Sequence, residues 1–264
     1  MSEEESGSEI RVEREAEGTV VVTLNRPRRR NSLTLALWQK LGALYREFAD
    51  DHAVRSVILT GAGGQFSAGA DITEFPQVRA TAEQAAFYAA AVDEANDAIV
   101  ELPKPTIAVI DGFCVGGGLG LALANDFRIA HGGALFSIPA ARLGIVYGVK
   151  ETRNLLNIVG LTQAKRLLFS AARVDAKEAL AIGLVDEITE GSSLNKGRRF
   201  AGQLAENAPL SIAGAKLIVS QLSRGSTLDE AAVEAAQARA VESEDYAEAV
   251  KAFAEKRKPT FRGK

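Results

Sequence analysis

The feature that most constrains this chain is a set of short, β-branched, mostly apolar segments, each followed by residues at helical spacing. TVVVTL, SVILTG and TIAVI are too short for buried helices and lack the polar alternation of half-exposed strands. They read as strands, SVILTG as a buried one. Between the first two lies SLTLALWQKLGALYREFAD, with apolar residues at Leu37, Leu41, Leu44, Tyr45 and Phe48. That spacing predicts an amphipathic helix opening at a Ser32 or Thr34 cap. A second cycle runs from a helix around 81–101 into TIAVIDG, the helix GLGLALANDF and the strand DFRIA. A third comprises ALFSIP, a helix around 149–159 and TQAKRLLFS. Such alternation predicts an α/β fold. Upstream, IRVEREAEGTVVVTL reads as two strands turning at Glu17-Gly18, the second ended by Pro27. From 196 the chain is Ala-rich, with no strand pattern. Three regions are therefore expected: a disordered acidic tail over 1–9, an α/β core over 10–195 and a helical region over 196–264.

Composition narrows the function classes. A formal net charge of −3 supplies no basic field for nucleic acid. The run Arg26-Pro-Arg-Arg-Arg30 lacks interleaved aromatics, so its size suits a phosphorylated small molecule better than a polymer. No apolar run reaches the roughly 18–20 residues that span a bilayer, and MSEEESGSE is not a basic-then-apolar leader, so a cytoplasmic protein without a membrane partner is expected. One cysteine excludes an intrachain disulfide and a Cys-based zinc site, and His52 and His131 lack metal-ligand spacing, so no metal is expected.

The glycine-rich stretches test several motifs. Neither GAGGQFSAG nor GFCVGGGLG satisfies G-x-G-x-x-G, and no G-K-[ST] occurs for a phosphate loop. GFCVG, between a strand and a helix, has the form of a nucleophile elbow presenting Cys114. A thiol hydrolase of that kind needs a histidine base, and none follows His131. Cys114 reads as a small buried hydrophobe. What remains is a pair of loops, LTGAGGQFSAGADI and IDGFCVGGGLG, each joining a strand to a helix-like segment with small residues that leave backbone N–H groups approachable. Two such amides aimed at one point make an oxyanion hole, and Gly116, Gly117 and Gly118 open a helix whose free N–H groups favour negative charge. Glycines that merely admit close strand-to-helix packing are the alternative.

Read together, FSAGADI (66–72), DGFCVGGGLGLALANDFRIA (111–130), the LNRPxxxNSL pattern at 24–33, AKEALAIGLVDEI (176–188) and the closing SEDYAEAVKAFAEKRKPTF resemble the crotonase, or enoyl-CoA hydratase/isomerase, superfamily. The resemblance spans residues 10–264. It implies a spiral of ββα units with a C-terminal helical region, assembled as a homotrimer or hexamer. It implies an acyl-CoA thioester as the ligand, coenzyme A arriving as part of the substrate rather than as a separate cofactor. It also implies an enolate held by the amides of Ala70 and Gly117, and a CoA cradle at Arg28, Arg30, Ala68, Asp71 and Ile72, with Lys256 from the tail.

The chain departs from this pattern where hydratases of the family carry two glutamates. The matching positions are Gly120 and Ala140, and neither transfers a proton. Ordinary hydration by paired carboxylates is therefore not expected. Two replacements present themselves. Tyr147 stands where the similar methylmalonyl-CoA decarboxylases carry a tyrosine, and Glu151 opens a predicted helix from which it reaches the pocket as a base. Decarboxylation of a malonyl-type CoA and double-bond isomerisation thus both stay open. So do hydration by other groups, a non-catalytic acyl-CoA binder and, distantly, the Cys114 hydrolase. Glu74 and Asp126 read as structural, and Arg142 either meets a substrate carboxylate or pairs on the surface.

Overall fold

The computed structural model describes residues 8–225 and 227–264. Strand β1 (Ile10–Arg14) turns through Glu17, in the left-handed region, and Gly18 into β2 (Thr19–Leu24). Helix α1 (Leu35–Asp50) leads to β3 (Ser56–Gly61), and α2 (Ala82–Glu101) to β4 (Thr106–Ile110), β5 (Phe113–Val115) and α3 (Gly117–Ala124). There follow β6 (Phe127–His131), β7 (Leu135–Ser137), α4 (Val149–Ser170), β8 (Val174–Asp175), α5 (Ala176–Ala181) and β9 (Glu187–Thr189). The chain closes on helices α6 (Ser193–Ala205), α7 (Pro209–Ser223), α8 (Glu230–Val241) and α9 (Glu244–Glu255).

The larger sheet has the order β1-β2-β3-β4-β6-β9, antiparallel at β1–β2 and parallel thereafter. A smaller sheet, β5-β7-β8, lies apart. Each of the pairs β4–β5 and β6–β7 sends its first strand to the large sheet and its second to the small one before a helix begins, which is the expected ββα unit. The stretch GFCVGGG is thus not all loop. Phe113–Val115 is a strand, too short and too closely flanked by glycine to show a period of its own.

Burial explains the apolar strands. Every residue of β2 and β4 is buried. One face of the sheet packs against Leu37, Trp38, Leu41 and Tyr45 of α1 and Ile99 of α2. The other presents Val21, Ile58, Ile107, Val109 and Ile129 to Ala201, Leu194, Phe200 and Leu204 of α6. The boundary expected between 195 and 196 falls inside α6, a helix that covers the sheet. Gly197 permits this contact, because a Cβ there would lie 2.5 Å from Val109 Cγ2. Gly197→Ala is expected to destabilise the protein by about 1–3 kcal/mol through overpacking, read as a lower urea midpoint with an unchanged slope.

Other details differ from the sequence reading. Helix α1 is capped by Thr34, whose hydroxyl accepts the Leu37 N–H, and Ser32 is not the cap. The helix at 149 runs through TQAKRLLFS to Ser170, with its break at Gly160, where φ is 72°. Residues 1–7 of the predicted tail lie outside the described residues. Ser8 and Glu9 belong to the fold: the Glu9 carboxylate pairs with Arg26 at 2.7 Å, and the Ser8 carbonyl accepts a hydrogen bond from Asn25. Glu74 accepts the Leu35 N–H at the start of α1. Asp126 accepts from Thr106 and Lys216, fastening α7 to the sheet. No helix among the described residues is long and apolar enough to cross a membrane.

Candidate active site

The two glycine loops meet. Residue 70 forms a parallel bridge with Leu33, in which the Leu33 N–H donates to the Gly69 carbonyl and the Asp71 N–H to the Leu33 carbonyl. In that register the N–H of Ala70 itself faces away from Leu33. Gly117 is the first residue of α3, so its N–H has no intrahelical acceptor. No backbone hydrogen bond among the described residues uses either donor. The two amides are neighbours: a Cβ on Gly69 would lie 2.9 Å from the Gly117 nitrogen, and one on Gly117 would lie 3.6 Å from the Ala70 nitrogen. Two of the glycines are set by geometry as well. Gly69 has φ 89° and Gly116 has φ 55° with ψ −121°, conformations that residues with side chains avoid.

Ala70 and Gly117 both line a cavity of about 210 Å³, whose lining also includes Trp38, Phe75, Tyr88, Ile138 and Val146. Trp38 donates its indole N–H to the Tyr88 hydroxyl at 3.1 Å. This fixes two aromatic walls that the helical pattern shows only as core. Arg79 lies over the rings of Phe75 and Tyr88, 4.6 and 5.2 Å from their centroids.

Of the sequence-predicted residues, Ala70, Gly117, Tyr147 and Glu151 all line this cavity. Glu151 is 5% exposed, and its Oε2 has no hydrogen-bond partner. Burial, chiefly, pushes its carboxyl above the ordinary range. Asp93, which the sequence reading passed over, is the other carboxylate on the lining among the described residues; it stands 3.7 Å from Lys150, whose hydrogen-bonded partner is Asp97. Gly120 explains why Glu151 fits: a Cβ there would stand 3.0 Å from Glu151 Cγ and 3.1 Å from the Tyr147 hydroxyl. The space beside position 120 is thus taken by Tyr147 and Glu151. Ala140 also lines the cavity. The Tyr147 hydroxyl donates to the Gly116 carbonyl at 3.0 Å, and burial raises its pKa.

The cradle residues divide. Ala68 and Ile72 line the cavity. Arg28 and Arg30 are exposed, the Arg30 guanidinium over the Phe113 ring at 5.1 Å and its carbonyl accepting the Ala68 N–H. Buried Asn31, also missed in sequence, ties this loop to the next through the carbonyls of Ala62 and Gln65. The Asp71 carboxylate is occupied by Arg26 at 3.0 Å and by Thr73, its N–H by the Leu33 carbonyl and its carbonyl by the Glu74 N–H, so it holds the loop together and lines no part of the cavity. Arg26 belongs to that buried pairing rather than to a solvated basic run. Lys256 and Arg142 are exposed and line no part of the cavity. Cys114 is fully buried beneath the site, with its thiol pushed up by desolvation and no histidine on the lining, an arrangement unsuited to a thiol nucleophile. Among the described residues no group of His, Cys, Asp and Glu side chains has the arrangement of a metal site.

A family model described as enoyl-CoA hydratase/isomerase matches residues 14–264. The short-chain-enoyl-CoA hydratase of Clostridium acetobutylicum is 38% identical, over 92% of this chain and 94% of the relative. The mitochondrial methylglutaconyl-CoA hydratase of Homo sapiens is 35% identical, over 99% of this chain and 80% of the relative. A crystal structure of an enoyl-CoA hydratase/carnithine racemase from Magnetospirillum magneticum superposes with a TM-score of 0.91 at 35% identity, over 97% of this chain and 96% of that one.

Proposed function

Because the chain belongs to the enoyl-CoA hydratase/isomerase, or crotonase, family, we propose that it moves the double bond of an enoyl-CoA thioester, with Glu151 as its one proton carrier. One observation carries the reading: a buried carboxylate without a partner at Oε2 shares a cavity with two backbone N–H groups that lack acceptors. The ionised Glu151 takes a proton from C2 of a 3-enoyl thioester. The electron pair moves into the thioester, and the resulting dienolate oxygen rests on the Ala70 and Gly117 N–H groups. Protonated Glu151 then returns the proton at C4, giving the 2-enoyl isomer with no gain or loss of atoms. A base of raised pKa suits both halves of this transfer.

The relatives' names favour hydration, but water addition by paired carboxylates uses two acids, and Asp93, the second lining carboxylate among the described residues, stands 3.7 Å from the Lys150 ammonium. The decarboxylase reading assigns the substrate carboxylate to the Tyr147 hydroxyl, which donates instead to the Gly116 carbonyl at 3.0 Å. Coenzyme A is part of the substrate in this reading, and its phosphates are assigned to Arg28 and Arg30, exposed cations on the loop whose Arg30 carbonyl accepts the N–H of the cavity residue Ala68. Assembly as a trimer or hexamer is part of the proposal, supported by Phe169 and Phe253, which are 74% and 87% exposed on the single chain. Light scattering on the eluted protein counts the subunits.

The deciding experiment incubates the protein in D2O with crotonyl-, 3-enoyl-, methylmalonyl- and ethylmalonyl-CoA and follows each by mass spectrometry and proton NMR. The expected result is 3-enoyl-CoA converted to 2-enoyl-CoA, with deuterium entering at C2 or C4. Net addition of D2O to crotonyl-CoA, CO2 release from a malonyl ester, or binding without turnover of any ester would each overturn the isomerase assignment.

A further inference from the structure

The family's paired-glutamate chemistry gives Tyr147 no task, and the decarboxylase reading would have it touch substrate. Its hydroxyl is engaged elsewhere. It donates to the Gly116 carbonyl at 3.0 Å, and that carbonyl also accepts the Gly120 N–H at 3.0 Å. The carbonyl of Gly116 and the N–H of Gly117 are opposite ends of one peptide plane. Whatever holds the oxygen therefore aims the N–H of Gly117, a residue of the cavity lining.

This peptide needs such a hold. It joins two glycines, and Gly116 sits at φ 55° and ψ −121°. Glycine visits that region and many others at little cost, so the chain itself does little to prevent rotation of the plane. The Gly116 N–H is pinned by the Ser137 carbonyl at 2.9 Å, which fixes the preceding peptide but not this one. The first-turn bond from buried Gly120 is one anchor on the Gly116 carbonyl. Tyr147 supplies the second anchor from outside the helix. Two donors on one carbonyl also polarise the amide, making its N–H a stronger donor on the far side. The missing side chain at 120 is part of the same device, since a Cβ there would lie 3.1 Å from the Tyr147 hydroxyl.

We infer that Tyr147 is a positioning residue that locks and polarises the Gly116–Gly117 peptide, so that the Gly117 N–H meets the thioester oxygen as a fixed, strengthened donor. The inference rests on the proposed role of that N–H but not on which reaction follows. In it, Tyr147 neither gives nor takes a proton during turnover.

The test uses butyryl-CoA carrying carbon-13 at the thioester carbonyl, a saturated ester that has no double bond to move, bound to wild-type protein and to Tyr147→Phe. Isotope-edited infrared difference spectra report the carbonyl stretch directly. In wild type the band is expected to fall below that of the free ester. In Tyr147→Phe it moves back toward the free position, while kcat drops about 10-fold and KM stays within about 2-fold. The pH profile of the variant keeps the shape of wild type. An unshifted band in bound wild-type protein would sink the thioester-oxygen site itself. A full wild-type shift that persists in Tyr147→Phe would sink the positioning role alone, as would loss of one limb of the pH profile, which would make Tyr147 an acid or base. Loss of the band shift through general unfolding is excluded by comparing thermal melts, and the ring retained by phenylalanine preserves the packing.

Discussion

Glu151→Gln is expected to lower the turnover of 3-enoyl-CoA by about 10²–10⁴-fold while leaving acyl-CoA binding nearly unchanged, as measured by single-turnover kinetics beside calorimetric titration. The substitution keeps the volume of the side chain and removes only its capacity to carry a proton. Among the described residues the one other lining carboxylate is Asp93, which has Lys150 as an ion-pair partner at 3.7 Å, so the substitution removes the lining carboxyl that lacks one. The sign of the pH dependence follows. The reaction begins with the ionised form, so kcat/KM rises with pH through a pKa above the ordinary glutamate value of 4.5. The Glu151→Gln variant loses that limb. Stability moves the other way. The folded protein holds the Glu151 proton more tightly than the unfolded chain does, so this site's contribution is complete below the unfolded value. It is lost as pH rises through the folded one. Thermal melts of wild type against Glu151→Gln across that window should show the fall flattened in the variant. A variant that turns over at the wild-type rate would remove Glu151 from the mechanism.

Removing the Gly117 N–H should cost about 10²–10³-fold in kcat, the usual loss for one donor to a developing oxyanion. Proline deletes that donor, and the position suits it, since Gly117 is the first residue of α3 and proline is well tolerated there. The added ring carries a second effect, because a Cβ at 117 would lie 3.0 Å from Trp38 Cζ2. Gly117→Ala brings the same Cβ and keeps the N–H, so the ratio between the two variants isolates the amide. Alanine is expected to lose far less than proline, with melting temperatures checked for both. Equal losses would assign the effect to crowding against Trp38 and leave the amide without a role.

These effects differ in how far the sequence foretold them. The strands of the large sheet were readable because both of their faces are buried, which demands unbroken β-branched apolar runs in Thr19–Leu24 and Thr106–Ile110. Helix α1 was readable because one face is wet and one dry. β5 escaped notice, since three residues between glycines hold no period. The role of α6 also escaped: Ala201 and Gly197 are small because the sheet lies against them, and small residues in an Ala-rich region carry no direction. At the site, Ala70 and Gly117 were singled out by motif, for a free N–H leaves no mark on residue type. Trp38 and Tyr88 look like core in any helical pattern, and only their hydrogen bond and shared wall place them at the cavity.

By itself the sequence determined the α/β class, the family, and the absence of side-chain acids at Gly120 and Ala140, because these are properties of residue identity and of order along the chain. Only the tertiary structure decided what stands in their place. Glu151 is 31 residues beyond Gly120 in sequence, yet its Cγ fills the space that a side chain at 120 would need. Its lack of a partner at Oε2 depends on the neighbours that the fold supplies. The Tyr147 hydroxyl likewise reaches the Gly116 carbonyl across a similar separation. Hydrogen bonds, burial and the resulting pKa shifts are relations between distant residues, and a linear pattern records the residues without recording the relations.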